Sequence, residues 1–167
     1  QAPNLRWFQQ WGAGADWLLD HPEVAASELI VTTGSGVHAI PISEHILAYL
    51  FAFARALPQA IRGQTQRVWQ QPEWSRIFEL VGKTMVLIGV GAIGERTALM
   101  ANGLGMRVLG VRQNADVSTP GVEAMFAPEA LLEVLPQADF VVITAPLTEA
   151  TRGLIGEVEL QAMKATA

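Results

Sequence analysis

The segment that most constrains the fold begins at Thr84. Thr84-Met85-Val86-Leu87-Ile88 is followed directly by Gly89-Val90-Gly91-Ala92-Ile93-Gly94. A strand with no polar alternation must be covered on both faces, the condition of a strand inside a parallel sheet. The glycine-rich turn that ends it has the spacing G-x-G-x-x-G and leads into a helical pattern over residues 92–104. Ala98 and Ala101 offer that helix a small-residue face toward the sheet, and Gly105 lies just past its end. The motif alone is weak; the buried strand before it and the helix after it give it weight. In that setting Gly89 permits the tight turn, Gly91 lets the backbone approach a pyrophosphate, and Gly94 lets helix and strand pack closely. The N–H groups of Ala92 and Ile93 would face the phosphates at the positive end of the helix.

The rest of the chain repeats this rhythm. Strands are expected over residues 107–111, 122–126 and 140–143, with a helix opened by Pro128 and stopped by Pro136, and a last helix over 157–164. Strands alternating with helices imply an α/β fold with a doubly wound parallel sheet, of the Rossmann type. Upstream, residues 5–11 and 29–33 read as strands, and Asp16 as an N-cap after the small-residue turn Gly12-Ala13-Gly14-Ala15. Ser43 reads as the N-cap of a helix that runs to about Leu57, with Glu44 in its first turn and its end marked by Arg55 and Pro58. That helix, over 43–57, is apolar nearly all round and so must be covered on more than one side.

The end of the strand at Val111 carries the next discriminating position. A dinucleotide-binding unit that takes NAD places an acid there to receive the ribose hydroxyls. Here Arg112 follows Val111, and no acid comes before Asp116. A guanidinium can clamp a 2′-phosphate with two hydrogen bonds. The expected cofactor is therefore NADP, with NAD possible. FAD or S-adenosylmethionine on the same fold is an alternative.

A net charge of -5 over 167 residues argues against a nucleic-acid or anionic-membrane partner, and the longest apolar stretch is too short to span a bilayer. With no cysteine there are no disulfides or thiolate sites, which suits a cytoplasmic location. No His/Asp/Glu spacing suggests a metal. The chain starts without Met and stops at Ala167 without a helix cap, and both ends read as cuts through a longer protein.

Four stretches, taken together, resemble the D-isomer-specific 2-hydroxyacid dehydrogenase family: LRWFQQWGAGADWLL, VTTGSGVHAIPISEHILAYL, VGKTMVLIGVGAIGERTALMANGLGMRVLGVR and ADFVVITAPLTEATRGLIGEVELQAMK. They cover almost the whole chain in the family's order. The resemblance implies that residues 1–40 end a flavodoxin-like substrate-domain segment and that 41–167 form the first half of the cofactor domain. It implies a homodimer through the helix over 43–57, from Ser43 to Leu57. It places the substrate carboxylate on the backbone N–H groups of Ala13 and Gly14, and Ala145, Pro146 and Thr151 along the cofactor. Its reaction is hydride transfer between NAD(P)H and a small 2-keto acid such as glyoxylate or hydroxypyruvate.

The family's catalytic arginine, acid and histidine are expected beyond Ala167, so no catalytic residue is assigned here and the chain by itself is expected to be inactive. That leaves a second reading, a non-enzymatic dinucleotide-sensing interaction protein of the same family. His21, His38 and His45 are taken as structural, because none has a neighbouring acid suited to orient it. Trp7, Trp11, Trp17, Trp69 and Trp74 are expected in the core or at an interface.

Overall fold

The computed structural model describes residues 4–167. Its main sheet has four parallel strands in the order β5-β4-β3-β6, where β3 is Thr84–Ile88, β4 Arg107–Val111, β5 Ala124–Phe126 and β6 Phe140–Ile143. Earlier in the chain, β1 (Trp7–Gln9) and β2 (Ile30–Thr32) form a separate parallel pair. The expected strands all form; β1, β2 and β5 are shorter than the stretches that announce them.

β3 is central. It pairs with β4 from Thr84↔Arg107 to Ile88↔Val111, and with β6 from Met85↔Phe140 to Ile88↔Ile143. All five of its residues are buried, as its lack of alternation requires. Successive side chains go to opposite faces. Met85 and Leu87 join the apolar cluster formed with Leu47, Leu50, Ala98 and Ala101, while Val86 and Ile88 join Leu131, Val134 and Leu135. The first cluster is roofed by α2 (Ala39–Ala54) and α4 (Ala92–Gly103), the second by the short α5 (Leu131–Val134). Ala98 and Ala101 are fully buried, so the small-residue face of α4 lies where the sequence puts it. Gly105 follows with φ +76°, the left-handed turn that ends the helix.

Several local expectations fail for one physical reason. Pro58 is not the stop of a helix; it and Pro41 both sit in first turns. A proline there loses nothing, because its missing N–H would have had no intrahelical partner. α2 thus begins at Ala39, with His38 at the N-cap position, and breaks at Ala56, whose φ of 51° is left-handed. A second helix, α3 (Leu57–Thr65), restarts with Pro58 in its opening turn. Ser43 is therefore not a cap. It is buried inside α2, where its hydroxyl donates to the Ile40 carbonyl at 2.8 Å, and neither Glu44 nor His45 lies in the first turn.

Asp16 likewise lies inside a 3-10 turn, Asp16–Leu19, rather than capping it. The turn leads to α1 (Pro22–Ala25), which is followed by β2. After β5 the helix opened at Pro128 splits into 3-10, α and 3-10 turns, and Pro136 lies within the last of them. The final helix, α6, is Glu157–Ala162, two residues shorter than expected.

α2 is covered on one side only. Ser43, Leu47, Leu50 and Ala54 face inward, while Tyr49 and Phe53 are more than half exposed. Of the tryptophans none joins the described core, and Trp69 is 91% exposed. Among the described residues no single helix is long and apolar enough to cross a membrane; the apolar pair α2 and α3 is bent by 74°.

Candidate functional site

The site grows out of the order of the strands. From β3 the chain crosses to β4 on one side, and later returns to place β6 on the other. The point where the winding reverses leaves a crevice at the carboxyl ends of β3 and β6, where open α/β sheets bind ligands. Both the glycine turn after β3 and the loop after β6 lie there.

The three motif glycines do three different things. Gly89 has φ +92°, and a side chain on it would drive into the backbone of Thr144 and Ala145. Gly94 would put a Cβ 2.5 Å from the Gly89 carbonyl oxygen, so only a glycine lets α4 approach the end of β3 this closely. Gly91 is the reverse case. It has extended backbone at the N-cap position, and no atom lies within 4 Å of where its Cβ would be. No side chain caps α4, so the first N–H groups of the helix, including those of Ala92 and Ile93, have no partner within it. Open space beside Gly91 and uncapped amides at a helix N-terminus form a cradle suited to a phosphate.

The loop after β6 is bolted to this turn. The Ile88 carbonyl accepts the N–H groups of Thr144 (2.8 Å) and Ala145 (3.0 Å), and the Thr144 hydroxyl donates to the Gly89 carbonyl at 2.5 Å. Ala145, Pro146 and Thr151 line one cavity of about 240 Å³ with Ile143, Leu147 and Leu154. The Thr151 hydroxyl donates to the Pro146 carbonyl at 2.6 Å and accepts the Thr148 N–H at 2.8 Å, which folds the loop over this cavity. Thr144 escaped notice in the sequence; a hydroxyl directly after an apolar strand was its only signal.

Arg112 continues β4, its own N–H donating to the Phe126 carbonyl at 3.0 Å. Its Nη1 is buried and, among the described residues, finds no hydrogen-bond acceptor. The nearest anion is Glu95 Oε1 at 4.0 Å, an ion-pair distance beyond hydrogen bonding. Glu95 sits in the first turn of α4. The acid beside Arg112 does not follow Val111 in the chain; it comes from the start of α4 in the same β-α-β unit.

Ala13 and Gly14 lie apart from this crevice along the chain, in the exposed turn after β1. Their N–H groups donate to no acceptor among the described residues, while the Gly14 carbonyl accepts the Gln10 side-chain amide. The histidines divide. Contrary to expectation His21 does have an acid beside it: its Nδ1 is 3.2 Å from Glu23 Oε1, on an exposed surface. The backbone N–H of Glu23 and the His21 ring hold the Glu23 carboxyl below its usual range. His45 rests edge-on against Tyr49, 4.8 Å between ring centroids.

Comparison with known proteins bears on the whole arrangement. Residues 47–167 match the model of the D-isomer specific 2-hydroxyacid dehydrogenase, NAD binding domain. A glyoxylate reductase from Korarchaeum cryptofilum is 34% identical over 172 residues, covering 99% of this chain and 50% of its own length. One from Pyrococcus furiosus is 32% identical, with 99% and 51% covered. The chain thus spans about half the length of the curated relatives it matches. Among solved structures, a D-isomer specific 2-hydroxyacid dehydrogenase family protein from Aeromonas salmonicida superposes with a TM-score of 0.78 at 33% identity, covering 90% of this chain and 46% of that one. A D-isomer specific 2-hydroxyacid dehydrogenase from Xanthobacter autotrophicus, solved with NADPH and MES, gives 0.76 at 28% identity, covering 96% and 50%.

Proposed function

The chain belongs to the D-isomer-specific 2-hydroxyacid dehydrogenase family through its NAD-binding domain, and from that premise we propose that it is the dinucleotide-holding part of an NADP-preferring reductase of small 2-keto acids. The observation that carries the reading is the cradle at the switch point: uncapped amides at Ala92 and Ile93 beside the open approach at Gly91. A bound nicotinamide dinucleotide supplies the hydride.

The chain's own residues bind and orient. The N–H groups of Ala92 and Ile93 hold the pyrophosphate, and the helix dipole of α4 adds to that attraction. Gly89 and Gly94 keep the turn tight enough for those N–H groups to converge. Ala145, Pro146 and Thr151 form the wall along the cofactor. Arg112 receives the 2′-phosphate, and its acceptor-free buried Nη1 supports this role. The family relative solved with NADPH points the same way.

We assign residues 1–40 to the substrate side, where the free N–H groups of Ala13 and Gly14 take the substrate carboxylate. The relatives named as glyoxylate reductases favour a small 2-keto acid such as glyoxylate or hydroxypyruvate. The exposed face of α2, carrying Ile42, Tyr49 and Phe53, is the surface for a homodimer.

Titration of the protein with NADPH and NADH tests the cofactor assignment. NADPH should bind about tenfold more tightly, and Arg112→Asp should erase or reverse the preference. Equal affinities in the parent, unchanged in the variant, would sink the assignment. Oxidation of NADPH by a protein carrying this chain, with glyoxylate or hydroxypyruvate as acceptor, tests the reaction. Turnover with neither acid would exclude this substrate class.

A further inference from the structure

Glu95 and Arg112 come together from opposite ends of the β3-α4-β4 unit. Arg112 leaves the carboxyl end of β4, and Glu95 follows the last glycine of the turn. Their charges stand 4.0 Å apart, with the Arg112 side chain 27% exposed and that of Glu95 52% exposed. The contact is too long for a hydrogen bond, so Arg112 Nη1 feels a counter-charge and yet keeps its donor free. Such a guanidinium already has an anion beside it before any ligand arrives. An incoming 2′-phosphate must compete with the Glu95 carboxylate for it, whereas a ribose with a free 2′-hydroxyl meets no such competition.

We propose that Glu95 is a specificity-determining residue, which engages Arg112 and thereby reduces the advantage of a 2′-phosphorylated nucleotide over its unphosphorylated counterpart. The proposal rests on Arg112 being the 2′-phosphate reader. It makes the preference for NADP a balance between two side chains, with Glu95 the weight on the other side. A carboxylate in the first turn of α4 also lies near the phosphate cradle, so its removal should strengthen binding of every phosphate ligand somewhat. That common effect cancels in a ratio.

The test compares 5′-AMP with adenosine 2′,5′-bisphosphate, which differ only in the 2′-phosphate. Dissociation constants for both are measured on the parent, Glu95→Gln, Arg112→Gln and the double variant. Glu95→Gln should raise the ratio of the two constants about fivefold at low salt, and less at high salt, as a half-exposed charge pair dictates. In the Arg112→Gln background the same substitution should leave the ratio nearly unchanged. An unmoved ratio in Glu95→Gln overturns the proposal. So does a rise of equal size with Arg112 absent, which would mean plain repulsion of the phosphate. A parent that shows no preference while Glu95→Gln creates one would defeat the NADP assignment but leave the role of Glu95 standing.

Discussion

Gly89, Gly91 and Gly94 share one motif, yet the space around them makes them respond differently to substitution. Gly91→Val puts a branched side chain into open space on extended backbone, so the fold should survive while dinucleotide binding is lost. Gly94→Ala meets the Gly89 carbonyl at 2.5 Å and must push α4 off the sheet, at a cost of roughly 1–3 kcal/mol of stability. Urea denaturation combined with NADPH titration separates the two. A Gly91→Val protein that binds normally would place the phosphates elsewhere. The motif itself was readable in the sequence because each glycine answers to local backbone geometry. Glu95 was not, since its partner Arg112 lies 17 positions further along the chain, and only the folded unit brings the two together.

Among elements, β3 and β6 are joined at their amino ends by Asp139. Its Oδ2 accepts the Thr84 N–H at 2.8 Å, its own N–H donates to the Thr84 carbonyl at 2.8 Å, and Lys164 Nζ, just beyond α6, reaches Oδ1 at 2.9 Å. Burial by itself would raise the Asp139 pKa. The Thr84 N–H and the Lys164 ammonium outweigh it and hold the carboxyl below its usual value. A carboxyl depressed in the folded state stabilises the fold above its unfolded pKa, near 4, and loses that contribution as the pH falls through the folded value. Asp139→Ala should therefore cost about 1–3 kcal/mol at pH 7, and the gap from the parent should narrow below about pH 4. A gap that stays constant from pH 7 to pH 3 in urea titrations would remove Asp139 from this role.

The elements also show which signals in the sequence were dependable. The unbroken apolar run of β3 gave its strand correctly, because burial on both faces leaves a one-dimensional trace. Helix starts at Ala39 and Leu57 were missed, because a proline in a first turn looks the same in sequence as a proline that ends a helix.

At the scale of the molecule α2 is two-faced. Its inner face closes one cluster of the core, while Ile42, Tyr49 and Phe53 present apolar surface outward. The apolar composition all round the helix was legible in the sequence, but what covers the outer face was not. If that face joins two copies, Phe53→Glu should shift a protein carrying this chain from dimer to monomer in sedimentation, with the sheet intact. A dimer that persists unchanged would move the interface off this face.

The pair of hydrogen bonds that Thr144 and Ala145 donate to the single Ile88 carbonyl has a consequence in time. Gly89 donates to the Val111 carbonyl at 2.8 Å on one side and is gripped by the Thr144 hydroxyl on the other. The glycine turn and the loop after β6 therefore cannot loosen separately, although Gly89 and Thr144 stand 55 positions apart in the chain. In deuterium exchange the amides of Gly89, Thr144 and Ala145 should become labelled together, at the slow rate of the β3 core rather than the fast rate of a surface loop. Thr144→Val should release all three at once. The floor of the crevice would then breathe as one cooperative unit, so a ligand would meet a surface whose shape is set before it arrives.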